Sequence, residues 1–147
     1  MNRYSFLFIL ITLAFNPIVA HANTSAQQLG VCMTDSLNGK ERKNLAKWIF
    51  FGMSEHSTIK PHSNVPTSDR ERMNKYVGTL ITRLLTEDCP EIAKAALDEN
   101  GSAAFDYAFG VVGEVAMTEL MAEPAVSKSL GAFEHHLDQS KFDGVFK

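Results

Sequence analysis

Residues 103–122 read AAFDYAFGVVGEVAMTELMA, with 14 of the 20 positions apolar and Gly110 and Gly113 among the rest. A helix that is apolar nearly all round forms the buried centre of a bundle. Ser102 before the run and Glu123-Pro124 after it supply the start and stop signals of such a helix. A membrane span is the competing reading, but it would hold Asp106, Glu114 and Glu119 in hydrocarbon, where each carboxylate is costly. The two glycines are expected to let a neighbouring helix approach this one closely.

Outward from this segment the pattern stays helical, since no stretch alternates apolar and polar residues for long. The expected fold is all-α, a compact bundle of about six helices around the central apolar one. Residues 25–37 carry Leu29, Cys32, Met33 and Leu37 on one stripe. Asn38 with Glu41 forms a capping-box start for a second helix reaching about residue 57, with Leu45, Trp48, Ile49, Gly52 and Met53 as its expected buried stripe. After a loop containing Pro61 and Pro66, Ser68 with Glu71 is expected to open a third helix, whose apolar face is Met73, Val77, Leu80, Ile81, Leu84 and Leu85.

Pro90 suits the first position of a fourth helix, and Asn100-Gly101 ends it. A sixth helix after Pro124 should turn Val126, Leu130, Phe133 and Leu137 inward, leaving 138–147 as a loose tail.

The N-terminal end has a different character. Arg3, an apolar run over residues 4–14, Pro17 and Ala20-His21-Ala22 form the pattern of a cleaved export leader over residues 1–22. The run is too short to span a bilayer, which takes about 20 apolar residues. The remaining 23–147 make one domain, able to bury roughly two thirds of its unfolded surface without a cofactor. With 13 Lys plus Arg against 17 Asp plus Glu, its formal charge of −4 disfavours nucleic acid and anionic lipid as partners.

Both cysteines, Cys32 and Cys89, fall in the exported part, where an even count pairs. The alternative, a redox or metal-binding thiol pair, lacks the Cys-x-x-Cys spacing. A Cys32–Cys89 bridge would clamp the first helix to the joint between the third and fourth.

Chemistry-bearing motifs are sparse: there is no Gly-x-Ser-x-Gly elbow, no His-Glu-x-x-His, and no phosphate loop around Gly39-Lys40. Two polar residues fall on apolar stripes. Glu119 lies among Phe105, Val112, Ala116 and Leu120, and His56 among Leu45, Ile49, Gly52 and Met53. Together they would make an acid and base pair or metal ligands; as structural groups, His56 would cap carbonyls in a last helical turn and Glu119 would reach water. His135 and His136 point about 100° apart on a helix and do not chelate one ion. Phe50 and Phe51 lie off the stripe of the second helix and are the candidate partner contacts if they are exposed.

The run from Cys32 through Asp35-Ser36 and Gly39-Lys40-Glu41-Arg42, with Trp48-Ile49-Phe50 and the later Glu87-Asp88-Cys89-Pro90, resembles a group of short exported bacterial proteins without assigned activity. That resemblance implies a Gram-negative periplasm and the Cys32–Cys89 pairing, and it carries no catalytic residue. The expected role is a non-enzymatic periplasmic binding protein without cofactor or metal, whose partner is an envelope protein or an apolar ligand. A metal- or small-ligand-binding protein using His56 and Glu119 is the alternative, and a hydrolase the more distant one.

Overall fold

The computed structural model describes residues 24–146, seven α-helices and the turns between them. The expected leader lies outside the described residues, and among these no helix is long and apolar enough to cross a membrane.

Local chemistry sets the first two helices. Helix α1, Ser25–Asp35, begins at a capping box in which Thr24 Oγ1 accepts from the Gln27 N–H and Gln27 Oε1 from the Thr24 N–H. Helix α2, Gly39–Met53, begins at the expected box, with Asn38 and Glu41 exchanging hydrogen bonds of 2.9 and 3.0 Å. It ends at Met53, four residues before the expected end, because the chain turns at Ser54, whose buried hydroxyl donates to the Phe51 carbonyl at 2.6 Å.

Helix α3, Thr67–Arg83, starts ahead of the expected Ser68. Pro66 holds the extended entry residue, and no side chain caps the helix, so Ser68 and Glu71 lie within it. The helix then widens into a π-helical turn, Leu84–Asp88, where the Cys89 N–H reaches the Leu84 carbonyl at 2.9 Å. Helix α4, Pro90–Asn100, has Pro90 in its first turn and stops at Gly101. At φ 59°, ψ −149°, Gly101 occupies a region that is essentially reserved for glycine.

Helix α5, Ala103–Met121, is the organising element, packed by α1, α2 and α4. It buries a row at every fourth position, Ala104, Ala108, Val112 and Ala116. Its large residues Tyr107, Phe109, Met117 and Met121 face outward, so the helix is central in connectivity without being covered on all sides. The close approach is not at Gly110 or Gly113, where an added Cβ would meet nothing within 4 Å. It lies at Gly30 of α1, where a Cβ would stand 2.9 Å from Val111 Cβ.

The expected stripes of α1 and α3 are observed: Leu29, Met33, Leu37, Val77, Leu80 and Leu84 are buried in one core. The stripe of α2 is not, because Trp48, Gly52 and Met53 are exposed and Leu45 and Ala46 are the apolar residues of the helix that are buried. Helix α6, Pro124–Gly131, packs on α5 and on the 3-10 turn Ala132–His136 that follows it, with Val126 half-buried in a hollow shared with α2. Leu130, Phe133 and Leu137 are exposed and not inward, since no other element reaches them. Within the segment expected as a loose tail the chain forms α7, Gln139–Phe146, begun by Asp138, whose carboxylate accepts from the Ser140 and Lys141 N–H groups.

One end of the bundle is tied together. Cys32 and Cys89 are disulfide-bonded, joining α1 to the start of α4 as the sequence implies. Beside them Arg83 pairs with Glu41 at 2.9 Å and with Asp88 at 3.0 Å, and donates to the Ser36 carbonyl at 3.3 Å. Burial acts to raise the Glu41 carboxyl, but the Asn38 N–H and the Arg83 guanidinium outweigh it and hold the carboxyl below its ordinary value.

Three outcomes follow. The disulfide closes a loop spanning a sequence separation of 57. Chain entropy for such a loop is worth up to about 4 kcal/mol, so reduction should lower Tm by roughly 10 °C in calorimetry. Gly30→Ala should destabilise, because overpacking against the stiff Val111 costs about 1–3 kcal/mol and helix propensity returns only about 1. In a denaturant double-mutant cycle the loss should shrink when Val111 is Gly, which removes the Cβ and both Cγ atoms; an equal loss in both backgrounds contradicts the contact.

Because the native Glu41 value is depressed, its contribution is present above the unfolded carboxylate value and is lost as pH falls through the native one. Glu41→Gln should therefore cost roughly 1–3 kcal/mol at neutral pH and flatten the fall of Tm on acidification.

Candidate functional site

Helix α3 packs on α2 but does not close against α5, so a seam remains between α3 and α5 with α2 as its floor. At its inner end is an apolar crevice of about 120 Å³. Leu45 and Ile49 supply its base, Val77 and Ile81 of α3 one wall, and Phe109 and Val112 of α5 the other. Trp48 and Phe109 stand at the mouth, each more than a third exposed.

The seam continues past Trp48 and Ile49 into a wider hollow of about 240 Å³, bounded by Phe51, Gly52 and Asn74 and ending at Glu55 and Arg70. The Trp48 indole N–H donates to Asn74 Oδ1 at 2.8 Å, which fixes the ring between the two spaces. Glu55 pairs with Arg70 and, at 2.8 Å, with Lys60. The Lys60 ammonium, with Arg70 behind it, holds the Glu55 carboxyl below its ordinary value. The groove is therefore carbon-lined along its length and charged at one end.

The residues singled out in the sequence are distributed unevenly around this groove. Phe51 lines its outer hollow. Phe50 faces the other side of α2, in a hollow of about 310 Å³ with Lys43, Lys47, Glu119 and Val126. The two rings are 6.2 Å apart, and Phe50 is 46% exposed. Glu119 is partly buried and has Lys43 Nζ at 4.0 Å, so it both has a partner and reaches water.

His56 is not in the core: it falls beyond the end of α2, is exposed, and its Nδ1 accepts from the Thr58 N–H at 3.3 Å. Among the described residues no three His, Cys, Asp or Glu side chains come together as metal ligands, so His56 and Glu119 are not members of such a cluster. Cys32 and Cys89 are consumed in their bond.

Trp48, placed on the buried stripe of the second helix, and Phe109, within a helix read as buried on all sides from its apolar content, are the site residues that the sequence reading puts in the core. The available signal was compositional: tryptophan is rarely buried completely. Residues 45, 48, 49 and 52 share one side of a helix, and Glu55 continues that side with a charge.

With a floor of aliphatic carbon and its single indole N–H already bonded, the groove is suited to noncovalent burial of an apolar group beside an ion pair. Comparison with known proteins adds no analogy to this geometry: no family model matches the chain, and neither the curated proteins nor the solved structures yielded a match.

Proposed function

We propose that the chain is an exported, non-enzymatic binding protein that holds an apolar segment of a partner protein in the α2–α3–α5 groove. The observation that carries this reading is the size and lining of the inner crevice. An apolar cavity of about 150 Å³ takes up a benzene, and small-molecule sites run to about 300–1,000 Å³. A crevice of about 120 Å³ therefore fits one aromatic or branched aliphatic side chain, the kind of anchor that dominates a protein interface. The Glu55, Arg70 and Lys60 charges at the outer end suit the polar flank of the same segment.

The export leader in the sequence and the disulfide support the periplasm as the compartment, since such bonds persist where the surroundings are oxidising. Envelope proteins are the partners available there.

Trp48 is the one tryptophan in the chain and lies in the groove, so its emission reports occupancy. The probe is an Ala- and Lys-based helical peptide carrying a single Phe, compared with the same peptide carrying Ala. Burying one phenyl group is worth about 1.5–3 kcal/mol, so the Phe peptide should bind at least tenfold more tightly. Ile81→Ser and Phe109→Ser should weaken it, whereas Val31→Ser on the exposed side of α1 should not. Equal binding of the two peptides, or an unaffected Phe109→Ser variant, overturns the reading.

A further inference from the structure

Residues 132–146 form an arm whose apolar side chains no other described element covers. Between Pro124 and Phe146 no residue is buried, and among the described residues α7 packs against no other element. Phe133 is 60%, Val145 75% and Phe146 77% exposed, and Phe142 stacks on Phe146 with ring centroids 6.1 Å apart. We infer that residues 132–146 of one copy occupy the α2–α3–α5 groove of a second copy, each arm filling the other's groove in a two-fold dimer. The inference rests on the reading of that groove as the binding face.

Three observations select a second copy as the occupant. The first is area. A phenylalanine carries about 150–250 Å² of buriable surface, so at their observed exposures Phe133, Phe142 and Phe146 offer roughly 350 Å² per arm. Reciprocal exchange, with matching area on the two grooves, gives roughly 1,400 Å², within the range of about 1,200–2,000 Å² typical of a specific interface. A single arm folded back on its own chain would cover half of that.

The second is direction. Val126 at the root of the arm shares a hollow with Lys43, Ala46, Lys47 and Phe50 of α2. The groove is on residues 45, 48, 49 and 52 of the same helix. At 100° per residue these two sets face opposite sides of α2, so the arm departs on the side away from its own groove.

The third is the connection. Glu123 is extended at ψ 120° before Pro124, which breaks the helical path between α5 and α6. Exchange of such a terminal element is a low-cost route to closed dimers. The dimer is then the stored form of the protein, since the same groove receives the arm or a partner segment and the two compete.

The test uses the full chain, exported by its own leader and recovered oxidised. Light scattering coupled to gel filtration at micromolar concentration should give twice the chain mass for the unaltered protein. It should give the single mass for an arm variant, Phe133→Ser with Phe142→Ser and Phe146→Ser, and for a groove variant, Ile81→Ser with Phe109→Ser.

A monomeric unaltered protein overturns the proposal, as does a groove variant that stays dimeric. If the groove variant loses its far-ultraviolet helical signal, a photo-reactive phenylalanine analogue at position 133 of the otherwise unaltered chain decides. Crosslinks to α2 or α3 of a second chain support the exchange, and crosslinks within one chain refute it. The arm variant separates the two readings: as a monomer that binds the Phe peptide it upholds both. As a monomer that ignores the peptide it sinks the binding role of the groove, and if the unaltered protein is monomeric yet binds the peptide, only the exchange fails.

Discussion

The packing of α1 on α5 constrains the rest of the molecule. At Gly30 the two helices are so close that a single added carbon would strike Val111, and α5 meets its neighbours through a row made mostly of alanine. Close approach of backbones maximises contact but uses up the small residues of a helix. What remains on α5 for its other sides is large: Phe109, Tyr107, Met117 and Met121. Helix α3 does not come down to cover that side, and the seam between them is left as a groove. The candidate site is thus a by-product of how tightly the opposite side is packed.

The two ends of the bundle are held by different physics. At one end a covalent bond and a partly buried Arg83, shared among Glu41, Asp88 and the Ser36 carbonyl, join α1, α2, α3 and α4. At the other the tie is noncovalent: Lys60 and Glu55 pair at exposed positions, where such an interaction contributes little and is screened by salt, while Arg70, less exposed than Arg83, pairs with the same Glu55 carboxylate. The groove opens toward this noncovalent end.

The parts of this architecture that local chemistry writes were legible in the sequence. The Asn38–Glu41 box, Pro90 and Gly101 announce helix ends because each acts on backbone groups within a few residues. The amphipathic faces of α1 and α3 are strong enough to identify their buried sides, and two cysteines admit one pairing. His56 was misplaced by extending a periodic stripe past a helix end that Ser54 had already closed. Trp48 was misplaced for another reason, and Phe109 by reading an all-apolar helix as covered on every side. Periodicity says which side of a helix is apolar, and whether a second helix arrives to cover it depends on packing elsewhere. The same gap explains Leu130 of α6, which is spaced for burial yet covered by no other described element.

The disulfide also sets the covalent topology of the groove. Helices α2 and α3, the floor and one wall, lie inside the ring closed by Cys32 and Cys89, while α5, the other wall, lies outside it. The exposed connection between α2 and α3, with Pro61 at its 3-10 turn, is the kind of segment that proteases nick. A cut there leaves both pieces joined through sulfur, with the floor still attached to the C-terminal half of the chain. The oxidised molecule is in this sense circular through its groove, and one broken peptide bond within the ring opens the loop without dividing the protein.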